Sequence, residues 1–336
     1  MLALVSGTAV YYYFFDGRVL AGWLQLALPA QISSPKSVAV CPLDGRIVSD
    51  ASLLNRRPIL IKVENHPDAR PQSGLDKADI VIEAMAEGGI TRFAAVFWCR
   101  DAEEIGPVRS GRLQDLTFAA EYDALFAHVG GSDAWAAAKT SALADLDQFA
   151  YGDTYWRSDD RDAPHNVYTT TVRLHKTAAA EDLEKKVSLD SWTFKVGHPG
   201  AGKVTSVKIP YGADCACSYT YDKATNTYLR FVEDEPFLDK PTGAQIAPKN
   251  VVVMFVSYDS SDFGEEYGLG GRDVMQLIGD GKAVVLRDGQ AVTGRWTKAD
   301  ESSRTMFVDD NGQPISFNRG QTWIEIIPSS WDITLG

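Results

Sequence analysis

Basic charge is the first thing this chain lacks: 33 Lys and Arg stand against 45 Asp and Glu, a formal net charge of −12 over 336 residues. A surface of that sign repels a phosphate backbone, so a nucleic-acid-binding face is excluded. Cysteine is scarce, at four residues (41, 99, 215, 217), and histidine at five. Cys215 and Cys217 in "DCACS" are two apart and lack the second Cys or His pair of a structural zinc site. No His-x-His or H-E-x-x-H spacing occurs, so no metal and no cofactor are expected. A nucleophile elbow is missing too, because Ser110 sits in V-R-S-G-R rather than G-x-S-x-G. Near the amino terminus "LALVSGTAVYYYFF" runs 14 residues without a charge, short of the ~20 that span a bilayer.

That apolar start, with tyrosines 11–13 suited to a membrane interface, reads as a signal-anchor or signal peptide over 1–30. "QISSPKS" opens a linker over 31–41. Such a segment implies a location outside the cytoplasm, where disulfides persist, and a membrane attachment. Val40 stands where a small residue directly precedes a lipidated cysteine, so lipid attachment at Cys41 is not expected.

Beyond the linker the pattern is mixed. "RPILIKVEN", "ADIVIEAM" and "RFAAVFWC" are β-branched and aromatic runs bounded by Pro, Gly and Asp, and read as strands. "GRLQDLTFAAEYD" carries apolar residues at helical spacing. "ALFAHVGG" reads as a buried strand, followed by a helix over "SDAWAAAKTSA" with Ser132 as its cap. Later runs such as "KVTSVKIPY", "TYLRFV", "NVVVMFVSY" and "TWIEII" are strand-like, with turn signals at 279–282, 287–290 and 309–312. The predicted class is mixed α+β and α/β. An α/β domain with a mixed sheet covers 42–190, and a β-rich domain covers 195–330.

Arginine is unevenly spread. Between Arg56 and Arg161 it outnumbers lysine nine to three, whereas after residue 166 lysine leads eleven to seven. Arginine is the residue for bidentate recognition of carboxylate or phosphate, so recognition is expected in the first half. Its unusual polar residues fall in "ENHPDARPQSG", "EAMAEGGITRF", "GPVRSGR", "AHVGGSD" and "RSDDRDAPHN". In order, and together with "GKAVVLRDGQAVTGRWTK…DDNGQPISFNRGQTWIEI", these stretches resemble the YerB-like family of bacterial extracytoplasmic lipoproteins, with N- and C-terminal domains of unknown function. The resemblance implies an anchored or secreted two-domain protein outside the cytoplasm. It implies no activity.

Physics carries the functional reading. In "GPVRSGR", Pro107 suits the first turn of a helix, whose free N–H groups and dipole favour an anion. Arg109 and Arg112, three apart, would then flank it. The anion is either a ligand or an internal aspartate such as Asp115, Asp159, Asp160 or Asp162. His128 ends an apolar strand before Gly130 and Gly131, and His165 lies in a polar loop. With Glu87, they are the candidate proton-moving groups. Arg70, Arg92, Arg109, Ser110, Arg112, Gly130, Gly131, Arg161 and Asn166 are the candidate ligand-binding residues. Three functions remain open: an enzyme acting on an anionic or phosphorylated envelope glycan, a binder of such a polymer or of an anionic small molecule, and an envelope scaffold. A histidine within reach of a carboxylate favours the first, and arginines each paired internally favour the last.

Overall fold

The structure is a computed structural model that describes residues 10–15, 18–23, 38–86, 89–131, 139, 143–200, 202–212, 214–259 and 274–336. Val10–Phe15 and Arg18–Trp23 pair as an antiparallel hairpin, a unit separate from the body that begins at Ala39. No helix among the described residues is long and apolar enough to cross a membrane. The rest of the expected anchor, the helix at Ser132 and Glu87 lie outside the described residues.

The body is built on one ten-stranded mixed sheet. Its strands are β1 (Ile59–Glu64), β2 (Ile80–Met85), β3 (Thr91–Phe97), β4 (Leu125–His128), β5 (Ala144–Asp147), β9 (Asn250–Val256), β10 (Gly279–Arg287), β11 (Gln290–Lys298), β12 (Met306–Asp309) and β13 (Thr322–Pro328). A second, five-stranded sheet holds β6 (Ser206–Ile209), β7 (Cys217–Asp222) and β8 (Thr227–Val232), flanked by Glu235–Pro236 and Thr334–Leu335. The large sheet runs β12-β11-β10-β9-β13-β2-β3-β1-β4-β5. The two halves of the chain therefore meet edge to edge, where β13 lies parallel to β2 with Glu325 opposite Glu83.

The apolar runs explain this layout. Residues 59–64 are buried along their whole length, as expected for a strand covered on both faces. Its odd residues Ile59, Ile61 and Val63 share one core with Val207, Ile209, Tyr219 and Tyr228 of the small sheet and with Leu174 and Ala178 of helix α2 (Thr171–Ala180). Leu60, Ile82 and Val96 share a core with Phe118 and Ala119 of helix α1 (Leu113–Glu121) and with Tyr122, which caps its carboxyl end. Burying a side chain such as Phe118 stabilises by roughly 1.5–3 kcal/mol. The mixed sheet and two-part layout agree with the sequence, but strands dominate, with two α-helices among the described residues. At 287–290 the expected turn is present, with Asp288 and Gly289 at φ 56° and 68°. The one at 279–282 is not: β10 runs through it, paired with β11 from Gly279 to Arg287.

Candidate functional site

At the carboxyl end of β1 the alternation of a buried strand is interrupted by charge. Lys62 is fully buried, and its Nζ lies 2.7 Å from Asp115 Oδ1. Burial pushes the ammonium down from its usual range, and the Asp115 carboxylate opposes that push. The other Asp115 oxygen accepts the Arg112 amide at 2.7 Å, capping α1. The anion at this helix start is therefore internal.

Residues 105–111 are extended, not helical. Bridges pair Ile105 with Thr169, Gly106 with Ser73, Val108 with Val63 and Gly111 with Gly131. A Cβ at Gly106 would sit 2.6 Å from the Tyr168 ring and 2.7 Å from the Val167 carbonyl, so only glycine fits there. Pro107 follows a cis peptide and its carbonyl accepts the Glu64 amide, while Arg109 N–H donates to the Lys62 carbonyl. Arg109 and Arg112 consequently do not share a helix face. The strand-like pairing takes the backbone groups that a helix would have used.

Arg109 instead reaches Glu64. Its Nε donates to Oε1 at 2.8 Å, and His165 Nδ1–H donates to Oε2 at 3.0 Å. Glu64 is buried, whereas the side chains of Arg109 and His165 keep 24% and 17% of their surface. His66 stacks on His165 with ring centroids 4.9 Å apart. The loop bearing His165, with a cis Ala163–Pro164 bond, is fastened by Asn166, which accepts from Arg157 at 2.7 Å and donates to the carbonyls of Ser158 and Arg161. Arg161 donates to the carbonyls of Asp68 (3.5 Å) and Pro71 (2.5 Å). Arg70 donates to Asn65 Oδ1 and to its carbonyl, at 3.1 and 2.8 Å. Arg70, Arg109, Arg161 and His165 thus converge on residues 64–71, with Asn166 behind them.

The remaining candidates lie elsewhere or serve differently. His128 is fully buried, with Nε2 on Asp145 Oδ1 (2.6 Å), Nδ1 on the Gly130 carbonyl (2.7 Å) and its ring stacked on Phe126. That is a packed histidine. The Gly130 amide donates to Asp147 and the Gly130 carbonyl accepts from Gly111, so this glycine joins the extended segment to β5. Arg92 lies opposite Glu64 in register and donates to the Ser110 carbonyl at 3.4 Å. Arg112 donates to the Gly111 carbonyl at 2.7 Å. Lys62 and Glu64 join the site although no local motif marks them, whereas His66, with His128 and His165, is one of the histidines that raise a metal site in the sequence. The available signal was the charge in "IKVEN", unusual in a strand otherwise apolar throughout.

A second charged cluster seals the seam between the halves. Arg230 of β8, fully buried, donates to Glu83 Oε2 at 2.6 Å and to Glu325 Oε1 at 2.9 Å. The rings of Phe93, Tyr219, Phe237 and Trp323 surround its guanidinium at 4.5–5.7 Å. Burial and the facing Glu83 push the Glu325 carboxyl up to about 8. Cys41 and Cys99 form a disulfide, and Cys215 and Cys217 are buried thiols.

A large mixed sheet joining two halves, with a polar cluster at the end of a core strand, defines a two-domain protein of mixed-sheet architecture. Residues 43–184 match the family model "Protein of unknown function (DUF3048) N-terminal domain", and residues 207–324 match its C-terminal counterpart. Over 293 residues the chain is 33% identical to "Putative lipoprotein YerB" of Bacillus subtilis (strain 168), covering 85% of this chain and 86% of that protein. The crystal structure of the Bacillus subtilis YerB protein superposes with a TM-score of 0.79 at 32% identity, over 89% of this chain and 99% of that one. This chain belongs to the DUF3048 family.

Proposed function

We propose that this is an extracytoplasmic, membrane-attached envelope protein that binds an anionic ligand, a phosphorylated or carboxylated wall polymer or a fragment of one, at the 64–71 segment. One observation carries the reading: buried Glu64 divides its two oxygens between Arg109 and His165, both partly open to solvent, with Arg70 and Arg161 bonded to the same segment. Three guanidiniums around two carboxylates, Glu64 and Asp68, leave the cluster positive in a chain of net charge −12. Guanidiniums placed there attract and orient anions. The compartment is supported by the Cys41–Cys99 disulfide, a bond that persists where the surroundings oxidise, and by the name of the Bacillus relative. Attachment falls to the amino-terminal segment, because the disulfide occupies the Cys41 thiol that a lipid would need.

The full chain is mixed with inorganic phosphate, a glycerol phosphate polymer and muropeptides while its melting temperature is followed. One anionic class is expected to raise it. An Arg109→Ala/Arg161→Ala double variant, still folded, should show no rise. Absence of any shift in the native chain sinks the reading.

The His165–Glu64 pair favours a second reading, hydrolysis of the same anionic glycan, since a carboxylate that fixes an imidazole tautomer is how general bases are oriented. Turnover that disappears in His165→Asn while ligand binding persists would select it. Turnover unchanged in that variant would reject it.

A further inference from the structure

The same end of β1 brings together a set of side chains that no local motif announces. His66 caps the short turn Pro67–Ala69, and His165 arrives from a loop 99 positions later. With Asp68 they offer three ligand atoms, one from each, all within 4.8 Å of one another. We infer that His66, Asp68 and His165 form a binding site for a single divalent transition metal, zinc being the ion whose ligand preferences they fit.

Four observations support it. Neutral imidazole and carboxylate are the donor types that zinc and its neighbours take. The hydrogen bonds also prepare the donors. His165 gives its Nδ1 proton to Glu64, which leaves a lone pair on Nε2. That carboxylate in turn is held by Arg109 at 2.8 Å. A carboxylate behind a ligating imidazole is the arrangement that fixes its tautomer and raises its basicity. At His66, Nδ1 accepts only the 3.2 Å bond from the Asp68 amide and lies 3.5 Å from Asp68 Oδ2. Its lone pair can therefore turn to a metal at the cost of one long hydrogen bond. Finally, the His66 and His165 rings lie within 21° of parallel with centroids 4.9 Å apart, and both side chains keep part of their surface in water. His66 Nδ1 and Asp68 Oδ2, 3.5 Å apart, are already close to the roughly 3.3 Å between neighbouring ligands of a tetrahedral zinc.

Three protein ligands leave one coordination position for water or an anion. The neighbouring charges decide which. Arg70, Arg109 and Arg161 together outnumber Glu64 and Asp68, so a dication makes the cluster more positive and draws an anion to the open position. This last point, and only this one, rests on the proposed anion-binding function.

The test uses the full chain, stripped with a chelator and titrated with cobalt(II) alone, then with zinc(II), with and without inorganic phosphate. One tight equivalent of cobalt per chain, an absorption band of tetrahedral type and displacement by zinc are expected. His66→Ala/His165→Ala should lose at least 100-fold in affinity, and Glu64→Gln 10- to 100-fold through the position of His165. His175→Ala, a histidine paired with Glu184 away from this cluster, should bind as the native chain does. No tight equivalent, or a double variant that is folded and binds normally, overturns the site. Tight cobalt binding that phosphate does not strengthen keeps the metal site and overturns its coupling to an anion. Phosphate binding without metal binding overturns the metal site and leaves the anion reading standing.

Discussion

Two clusters in this molecule use the same parts, arginine with glutamates and aromatic rings, to opposite ends. Around Arg230 everything is sealed. The guanidinium sits between Glu83 and Glu325, four rings cover it, and none of its surface remains. Around Glu64 only the carboxylate is buried, while Arg109, His165 and His66 keep part of their surface in water. The difference shows how burial sorts chemistry. A closed ion cluster can only hold the fold together, because any ligand would have to displace a packed ring. An open one retains donors that a ligand can reach.

The largest effect is expected from breaking the closed cluster. Arg230→Met leaves two facing carboxylates buried at the seam between the halves, and should cost about 3–5 kcal/mol of stability in urea unfolding. A loss under 1 kcal/mol would mean the seam does not depend on the ion pair. Next comes the Cys41–Cys99 bridge, which closes 58 positions of chain. Replacing both cysteines by alanine should cost about 4 kcal/mol, and a reductant should reproduce the loss in the native chain only.

The closed cluster also predicts a dependence on pH. Glu325 titrates near 8 in the folded protein against an ordinary value of 4.5. Between those values the folded state binds more protons than the unfolded chain, so this group's contribution to stability falls as pH rises. It is fully present below about 4.5 and lost as pH passes about 8. Melting temperatures from pH 5 to 9 should therefore decline, and Glu325→Gln should flatten the decline. An equal slope in the variant would place the titration elsewhere.

At the open cluster the effects on stability are small. Arg109→Ala removes one charged hydrogen bond from Glu64, which keeps His165, and should cost about 1–2 kcal/mol. Arg161→Ala, whose side chain bonds exposed carbonyls, should cost less than about 1 kcal/mol, yet weaken capture of the anion. If Arg161→Ala destabilised as much as Arg230→Met, the open cluster would be structural after all.

How much of this was legible follows from the range of each signal. "RPILIKVEN", "ADIVIEAM" and "TWIEII" announced strands because apolar β-branched runs act within a few residues. The turn at Asp288-Gly289 was equally local. "GPVRSGR" misled for the converse reason: proline before a helix is a favourable start, but the tight packing of Gly106 against Tyr168 and the bridges to Val63 and Thr169 outweighed it. His128, at the end of an apolar strand, and His165, in a polar loop, were equal candidates for moving a proton. What separates them is that His128 ends inside the core against Phe126, while the His165 loop lies at the surface.

By itself the sequence determined the strands, the helix over 113–121, the excess of arginine in the first half and the family resemblance, since these depend on neighbouring residues and on composition. Only the tertiary structure decided the partners. Glu64 meets His165 across 101 positions, Glu83 meets Arg230 across 147, and Cys41 meets Cys99 across 58. Pairings of that length are selected by the burial and register of the whole sheet, so no stretch of chain carries them alone.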